Sequence, residues 1–154
     1  MIRPRKQSEY RNIGLLILRI GLGIMFIFHG YPKMFGGPDT WVQVGMATQY
    51  LGIDFAPMFF GFMAGVVEFF GGIFLLLGLF FTPTVSFLFV VMLVATTKHI
   101  GAADGFVSYS HSIEMAIVFL SLFFIGPGKH CLDQNLDWGF HLERHLQAQL
   151  QDIV

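Results

Sequence analysis

The sequence predicts an all-α membrane protein, a four-transmembrane-helix antiparallel bundle with a short interfacial helix after helix one and an amphipathic C-terminal helix. The 154 residues are 55% hydrophobic and only 12% charged, and their mean hydropathy is +0.66. Four stretches are apolar over about the twenty residues that a helix needs to cross a bilayer. Turn-forming residues separate these stretches, so neighbouring helices are expected to run antiparallel.

One transmembrane domain over residues 1–154 accounts for the whole chain. Its predicted spans are 13–31, 58–81, 84–100 and 109–126, and residues 129–154 follow as a tail. Basic residues are concentrated before the first span and after the fourth, and such residues mark the cytoplasmic side of a membrane. We therefore predict a multi-pass protein of a bacterial or archaeal cytoplasmic (inner) membrane, with both termini and the tail in the cytoplasm.

The connections between the spans differ in length. Thr82-Pro83 leaves room for only a tight turn between the second and third spans, which predicts a helical hairpin. Residues 36–38, Gly-Gly-Pro, break the chain after the first span, and Asp39 or Thr40 is placed to cap a short helix. That segment is predicted to lie flat in the outer interface, and an irregular polar loop is the alternative.

The tail contains a second amphipathic pattern. Leu142, Leu146 and Leu150 recur every four residues among polar and charged residues. This spacing predicts a helix that lies on the membrane surface. A helix that docks on a partner and a frayed end of the chain are the alternatives.

Every predicted span carries ionisable or histidine side chains where hydrocarbon is expected. Such residues are costly in lipid, and they usually face a protein interior and have a function. The set comprises Arg19, His29, Lys33, Glu68, Lys98, His99, His111 and Glu114. Helical spacing puts those of the first span on one face, and all except Arg19 and Glu68 fall in the outer half of the bundle. In the second span Gly61, Gly65 and Gly72 share the face of Glu68, and such small residues let another helix approach closely.

Arg19 and Glu68 are predicted to form a buried ion pair. A carboxylate near the bilayer midplane stays ionised only beside a positive charge, and Arg19 is always charged. Glu114 is the alternative partner of the arginine. The competing interpretation is that the pair is a packing device that fixes helix register.

Several function classes are excluded. The net charge of −1 provides no basic stripe for nucleic acid. Cys131 is the one cysteine, so neither an intramolecular disulfide nor a thiolate metal site is expected. Phosphate-binding loops, nucleophile elbows and paired carboxylates on one helix are missing from the sequence. Four short helices without inverted repeats also disfavour a transporter.

A quinone fits the remaining polar residues best. Its carbonyl oxygens accept hydrogen bonds, and its reduction consumes protons. In this hypothesis His29, Lys33, His99, His111 and Glu114 line a polar cavity that opens to the outer face. Lys33 or His99 donates to a quinone oxygen, and Glu114 passes protons together with His111. The predicted catalytic residues are therefore Glu114, His111 and His99, and the predicted cofactor-binding residues are His29, Lys33, Lys98, Arg19 and Glu68. No resident metal is predicted. Haem held by two histidines, or a divalent metal at His99, His111 and Glu114, is a less favoured alternative.

A combination of short motifs runs through the chain: LRIGLG at 18–23, FHGYPK at 28–33, GVVEFFGG at 65–72, LGL at 77–79 and GPG at 126–128. Together they resemble the DoxX family of small bacterial and archaeal membrane proteins, over roughly residues 12–136. The resemblance implies a four-helix membrane bundle. Related DoxD-type subunits belong to quinone-linked thiosulfate oxidation and terminal oxidase complexes, and other members accompany soluble enzymes of oxidative and thiol stress.

The resemblance also implies which residues are characteristic of the family. By position they are Arg19, His29, Lys33, Glu68 and Glu114. Members often carry an arginine just after the second helix, where this chain has Thr82-Pro83-Thr84.

We thus expect an inner-membrane protein that serves a redox system as a quinone-interacting or electron-transfer-associated subunit, with its catalytic status open. The expected partners are the lipid bilayer, a soluble or membrane redox protein, and a second copy of the chain docked through the glycines near Gly61 and Gly65. The alternative function is a non-enzymatic scaffold or assembly factor for soluble redox enzymes.

Overall fold

The computed structural model describes residues 4–134, and all of its regular structure in that range is helical. The α-helices are α1 (Pro4–Phe35), α2 (Gly37–Gly45), α3 (Pro57–Leu77), α4 (Phe81–Gly101) and α5 (Phe106–Ile125). Two 3-10 helices cover Met46–Leu51 and Leu132–Gln134.

Four of these helices, α1, α3, α4 and α5, are long and apolar enough to span a membrane. The predicted four-helix membrane fold is therefore confirmed. Short helical segments do follow α1, but their position at the membrane interface stays a prediction. The predicted tail helix with Leu142, Leu146 and Leu150 lies outside the described residues.

Helices α1 and α3 pack antiparallel along a seam of glycines. A Cβ atom on Gly30 would collide with the backbone nitrogen of Phe69, and one on Gly65 would lie 2.8 Å from the backbone nitrogen of Met34. The two backbones can approach this closely because small residues leave out the side chains that would separate them. The predicted close approach of another helix to the small residues on the Glu68 face is thus confirmed, and that helix belongs to the same chain.

Helix α2 packs against α3 at another glycine of α3. A Cβ atom on Gly61 would collide with the carbonyl oxygen of Trp41, so α2 lies directly against this part of α3. The predicted caps of this short helix were wrong, because α2 begins at Gly37, before Asp39 and Thr40. The Thr40 hydroxyl instead donates to the Gly36 carbonyl oxygen at 3.1 Å.

The turn between α3 and α4 lies earlier than predicted. Helix α3 ends at Leu77, Gly78 adopts φ +68°, and Thr82-Pro83 already belong to α4. A proline in the first turn of a helix sacrifices no hydrogen bond, since the first N–H groups have no partner in the helix. The α4 N-terminus is capped from a distance by Asp133, whose two oxygens each accept from a backbone N–H at 2.9 Å.

The bundle has two ends that differ in chemistry. At the end called here the loop end, α1 finishes, α4 connects to α5, and Lys33, Lys98 and His111 are found. At the terminal end, α3 turns into α4 and residues 126–134 follow α5. The apolar core between the two ends includes Leu75, Val85, Leu88 and Phe119, each 0% exposed.

Candidate functional site

A buried ion pair joins α1 to α3 near the loop end. The Lys33 ammonium donates to both oxygens of the Glu68 carboxylate, at 2.6 and 2.7 Å. The Glu68 side chain is 2% exposed and that of Lys33 is 33% exposed. Glu68 reaches Lys33 because the backbone at Gly30 lies directly against Glu68 and Phe69. A carboxylate this buried requires such a partner to remain charged.

The predicted partner of Glu68 was wrong. The Arg19 guanidinium donates to four backbone carbonyl oxygens, those of Leu75 (3.1 Å), Leu76 (3.3 Å), Pro127 (3.0 Å) and His130 (2.8 Å). Leu75 and Leu76 belong to the last turn of α3, where carbonyl groups lack helical partners and the helix dipole is negative. Arg19 is 1% exposed and holds the residues after α5 onto the end of α3.

The register of α1 against α3 explains this error. Gly30 lies against Phe69 and Gly23 lies against Leu76, so Arg19, one turn before Gly23, is level with the end of α3. Its partners are distant in sequence, so periodicity within α1 could not identify them.

Histidines of α1 and α5 meet at the loop end. The ring centroids of His29 and His111 are 6.2 Å apart, and both residues are exposed. Phe26 lies beneath them, 6.4 Å from the His29 ring and 5.0 Å from the Phe119 ring. The expectation that polar groups of different helices gather in this half of the bundle is supported by this pair.

Glu114 lies one turn beyond His111 on α5 and is exposed. The passage of protons predicted for these two residues stays a prediction. Of the two, His111 lies next to the α1 histidine.

Lys98 and His99 are engaged elsewhere. Both donate to the same Asp104 oxygen, Lys98 at 3.2 Å and His99 through Nδ1 at 2.7 Å. The hydrogen bond from His99, and then the one from Lys98, hold the pKa of Asp104 below its ordinary value. The sequence patterns did not single out Asp104, although its position five residues after His99, in a short connection, is a usable signal.

The described part of the chain includes the following three cavities of binding-site size. One, of about 350 Å³, lies between α3 and α4 with lining that includes Phe70, Phe74 and Phe87. A second, of about 430 Å³, is lined by Trp41, Ala56, Met58, Phe59 and Phe62. The third, of about 410 Å³, is at the terminal end and is lined by Arg19, Leu76, Leu77, Lys129, His130, Cys131 and Leu132. Of the predicted site residues, only Arg19 lines any of the three, so the common outer cavity remains a prediction.

Metal binding finds no support at these positions. Within residues 4–134, no group of three or more histidine, cysteine, aspartate or glutamate side chains is arranged to hold a metal ion. His99, His111 and Glu114 therefore do not form a ligand set in this structure.

Comparison with known proteins places the chain in a family. The DoxX family model matches residues 14–100, which extend from α1 to the end of α4 and include the Lys33–Glu68 pair. The inner membrane protein YphA of Escherichia coli (strain K12) is 33% identical over 135 residues, covering 81% of this chain and 91% of YphA. No solved structure matches. With four helices able to cross a membrane, this chain is a multi-pass integral inner-membrane protein and belongs to the DoxX family.

Proposed function

We propose that this protein serves a redox system by binding a quinone headgroup at the loop end of the bundle. The observation that carries the proposal is the Lys33–Glu68 pair, in which the carboxylate is buried and the ammonium is partly exposed. The adjacent rings of His29 and His111 also support the proposal.

Lys33 is suited to a neutral oxygen acceptor. Two of its three N–H groups point to Glu68, which leaves one for a ligand. Because Glu68 neutralises the ammonium charge, the pair favours a polar but uncharged group, such as a quinone carbonyl, over a strongly anionic one.

Access from the bilayer is consistent with the surface around the histidines. Phe28 is 71% exposed, Met25 is 53% exposed and Ile117 on α5 is 58% exposed. In a membrane these side chains face lipid, so an isoprenoid tail can remain in hydrocarbon while the headgroup meets polar side chains.

Proton transfer is assigned to α5. A bound quinone supplies two-electron chemistry that is coupled to protons. His111 and Glu114 lie one helical turn apart on an exposed surface, where they can exchange protons with the headgroup and with water. In this proposal the electrons come from a redox partner protein that contributes its own cofactor.

Binding of a short-chain quinone analogue to the full chain in nanodiscs tests the site. The double variant Lys33→Gln/Glu68→Gln removes the ammonium without leaving a buried charge, and it is expected to weaken binding about tenfold. Lys33→Arg retains a charged donor and should bind more tightly than the double variant. Lys6→Gln, at an exposed lysine at the start of α1, is the control.

The results distinguish two positions for the headgroup. If His99→Ala loses affinity while the Lys33→Gln/Glu68→Gln protein does not, the headgroup binds at the α4–α5 connection. Unchanged affinity in the double variant, in His111→Gln and in His99→Ala would refute quinone binding at the loop end.

A scaffold function has one specific observation in its favour. Residues after α5 are fixed to the bundle by Arg19, by Asp133 and by Asn12, whose side-chain oxygen accepts from the Lys129 N–H at 3.3 Å. The segment from Pro127 to Asp133 therefore has a defined place on the bundle. Deleting residues 137–154 should abolish partner recruitment by a scaffold and leave quinone binding intact.

A further inference from the structure

We propose that the cavity at the terminal end binds a phosphate group, of the kind carried by the headgroup of an anionic phospholipid. This site is separate from the quinone site, because it lies at the opposite end of the bundle. Its lining combines cationic and apolar side chains around a volume of about 410 Å³.

The polar part of the lining consists of the cations Arg19 and Lys129 and the imidazole of His130. The backbone hydrogen bonds of Arg19 hold its guanidinium in one orientation and leave one of its N–H groups for a ligand. Lys129 and His130 are exposed, so their side chains are accessible to a bound group. A guanidinium held in one orientation beside an accessible ammonium is a favourable arrangement for phosphate oxygens.

Among the described residues, the lining of this cavity contains two cations, Arg19 and Lys129, and no carboxylate. Asp133 is near enough to Arg19 to attract it electrostatically and offsets one of these charges, while its oxygens also accept from backbone N–H groups at the start of α4. The partners of Arg19 are neutral carbonyls. This contrasts with Lys33, whose charge is matched by Glu68, and it favours an anion at the terminal end.

The apolar part of the lining explains why the phosphate would belong to a lipid. Leu76, Leu77 and Leu132 form this wall, and Leu77 and Leu132 are 38% and 41% exposed. The cavity lies where α3 ends, and a membrane span ends at the level of the headgroups. A headgroup near Lys129 would then continue into acyl chains along the leucines.

Lipid retention by the purified full chain tests this inference. Wild-type protein and variants are equilibrated with phosphatidylglycerol or phosphatidylcholine in detergent, and bound lipid is counted by native mass spectrometry. Wild-type protein should retain phosphatidylglycerol preferentially, and Lys129→Gln should weaken this retention about fivefold. Lys129→Arg should restore it. Lys6→Gln removes the same charge from an exposed position outside the cavity and should change retention little.

A second arm separates a lipid from a soluble phosphate compound. Inorganic phosphate is titrated into delipidated protein, and a Lys129-dependent affinity without preference for phosphatidylglycerol would support the phosphate site with a soluble ligand. Equal binding of both lipids and of phosphate by wild type, Lys129→Gln and His130→Gln would overturn the inference. Since Lys129 and His130 are exposed, these variants are expected to fold normally.

Discussion

Lys33 and Arg19 show how differently two cations can be accommodated in one helix. The ammonium of Lys33 is neutralised by a carboxylate, whereas the guanidinium of Arg19 is surrounded by backbone carbonyls. The planar fork of arginine can serve several acceptors at once, which suits a junction of two chain segments. Lysine provides a compact charge for one carboxylate and retains a donor for a ligand. Arginine therefore suits the junction at position 19, and lysine suits the ion pair at position 33.

The Lys33–Glu68 pair should respond asymmetrically to substitution. Lys33→Met leaves a buried carboxylate without a partner and is expected to lower the free energy of unfolding by about 3 kcal/mol. Glu68→Gln should cost only about 1 kcal/mol, because Lys33 is partly exposed and its ammonium keeps contact with water. Denaturant unfolding in micelles measures both. Lys98→Met, which breaks the exposed pair with Asp104, is the control and should have the smallest effect of the three. A larger loss from Glu68→Gln than from Lys33→Met would contradict this account.

Asp104 should make the α4–α5 connection sensitive to acid. Its pKa is lowered from the ordinary value in the folded protein by His99 and Lys98, so its carboxylate stabilises the fold above its unfolded pKa. This contribution is lost as the pH falls through the lowered pKa. Asp104→Asn is therefore expected to reduce the Tm at neutral pH and to have little effect at the lowest pH at which the protein remains soluble. A Tm difference that grows on acidification would show that the interaction has the opposite sign.

At the scale of elements, the glycine seam between α1 and α3 determines the position of the ion pair. Gly30 of α1 lies against the α3 backbone at Glu68. Gly65 of α3 lies against the α1 backbone at Lys33. Side chains at these glycines would push the helices apart and separate Lys33 from its partner. The seam lies within one chain, so these glycines are already covered by the packing of α1 on α3 before any dimer forms.

Alanine substitutions at two glycines of α1 should therefore have opposite effects. A Cβ atom at Gly30 meets the α3 backbone, and Gly30→Ala is expected to destabilise the protein by about 2 kcal/mol. A Cβ atom at Gly21 would have no neighbour within 4 Å, and Gly21→Ala should be neutral or stabilising by up to about 1 kcal/mol, since alanine favours a helix. Thermal unfolding of the two variants in the same detergent gives the comparison. Equal destabilisation would mean that the seam does not govern helix packing.

At the scale of the whole molecule, the two ends of the bundle carry different functions in our proposals. The loop end offers a charge-compensated pair with histidines, and the terminal end offers a cavity with excess positive charge. The terminal end is also the side that the basic residues predict to be cytoplasmic. Anionic lipid at that end and a quinone site near the outer face are compatible with one membrane orientation.

This orientation can be measured directly. Reporter fusions that fluoresce only in the cytoplasm should be bright when attached after Val154, and alkaline phosphatase inserted next to Asp104 should be active. Cells that express the full chain without a reporter provide the background. A dark C-terminal fusion together with inactive phosphatase next to Asp104 would reverse the orientation and move the Lys33 site to the cytoplasmic side.

Hydropathy and helical periodicity were enough to establish the membrane class, the four spans, the small-residue face of α3 and the gathering of histidines near one end. Both are local properties of the chain and can be read without knowing how the helices pack. The pairing of Glu68 with Lys33, the binding of Arg19 to the carbonyls of Leu75 and His130, and the capping of α4 by Asp133 emerged from the folded chain alone. Periodicity gives the face of a residue but not the relative height of two helices, and that height decides which charges meet.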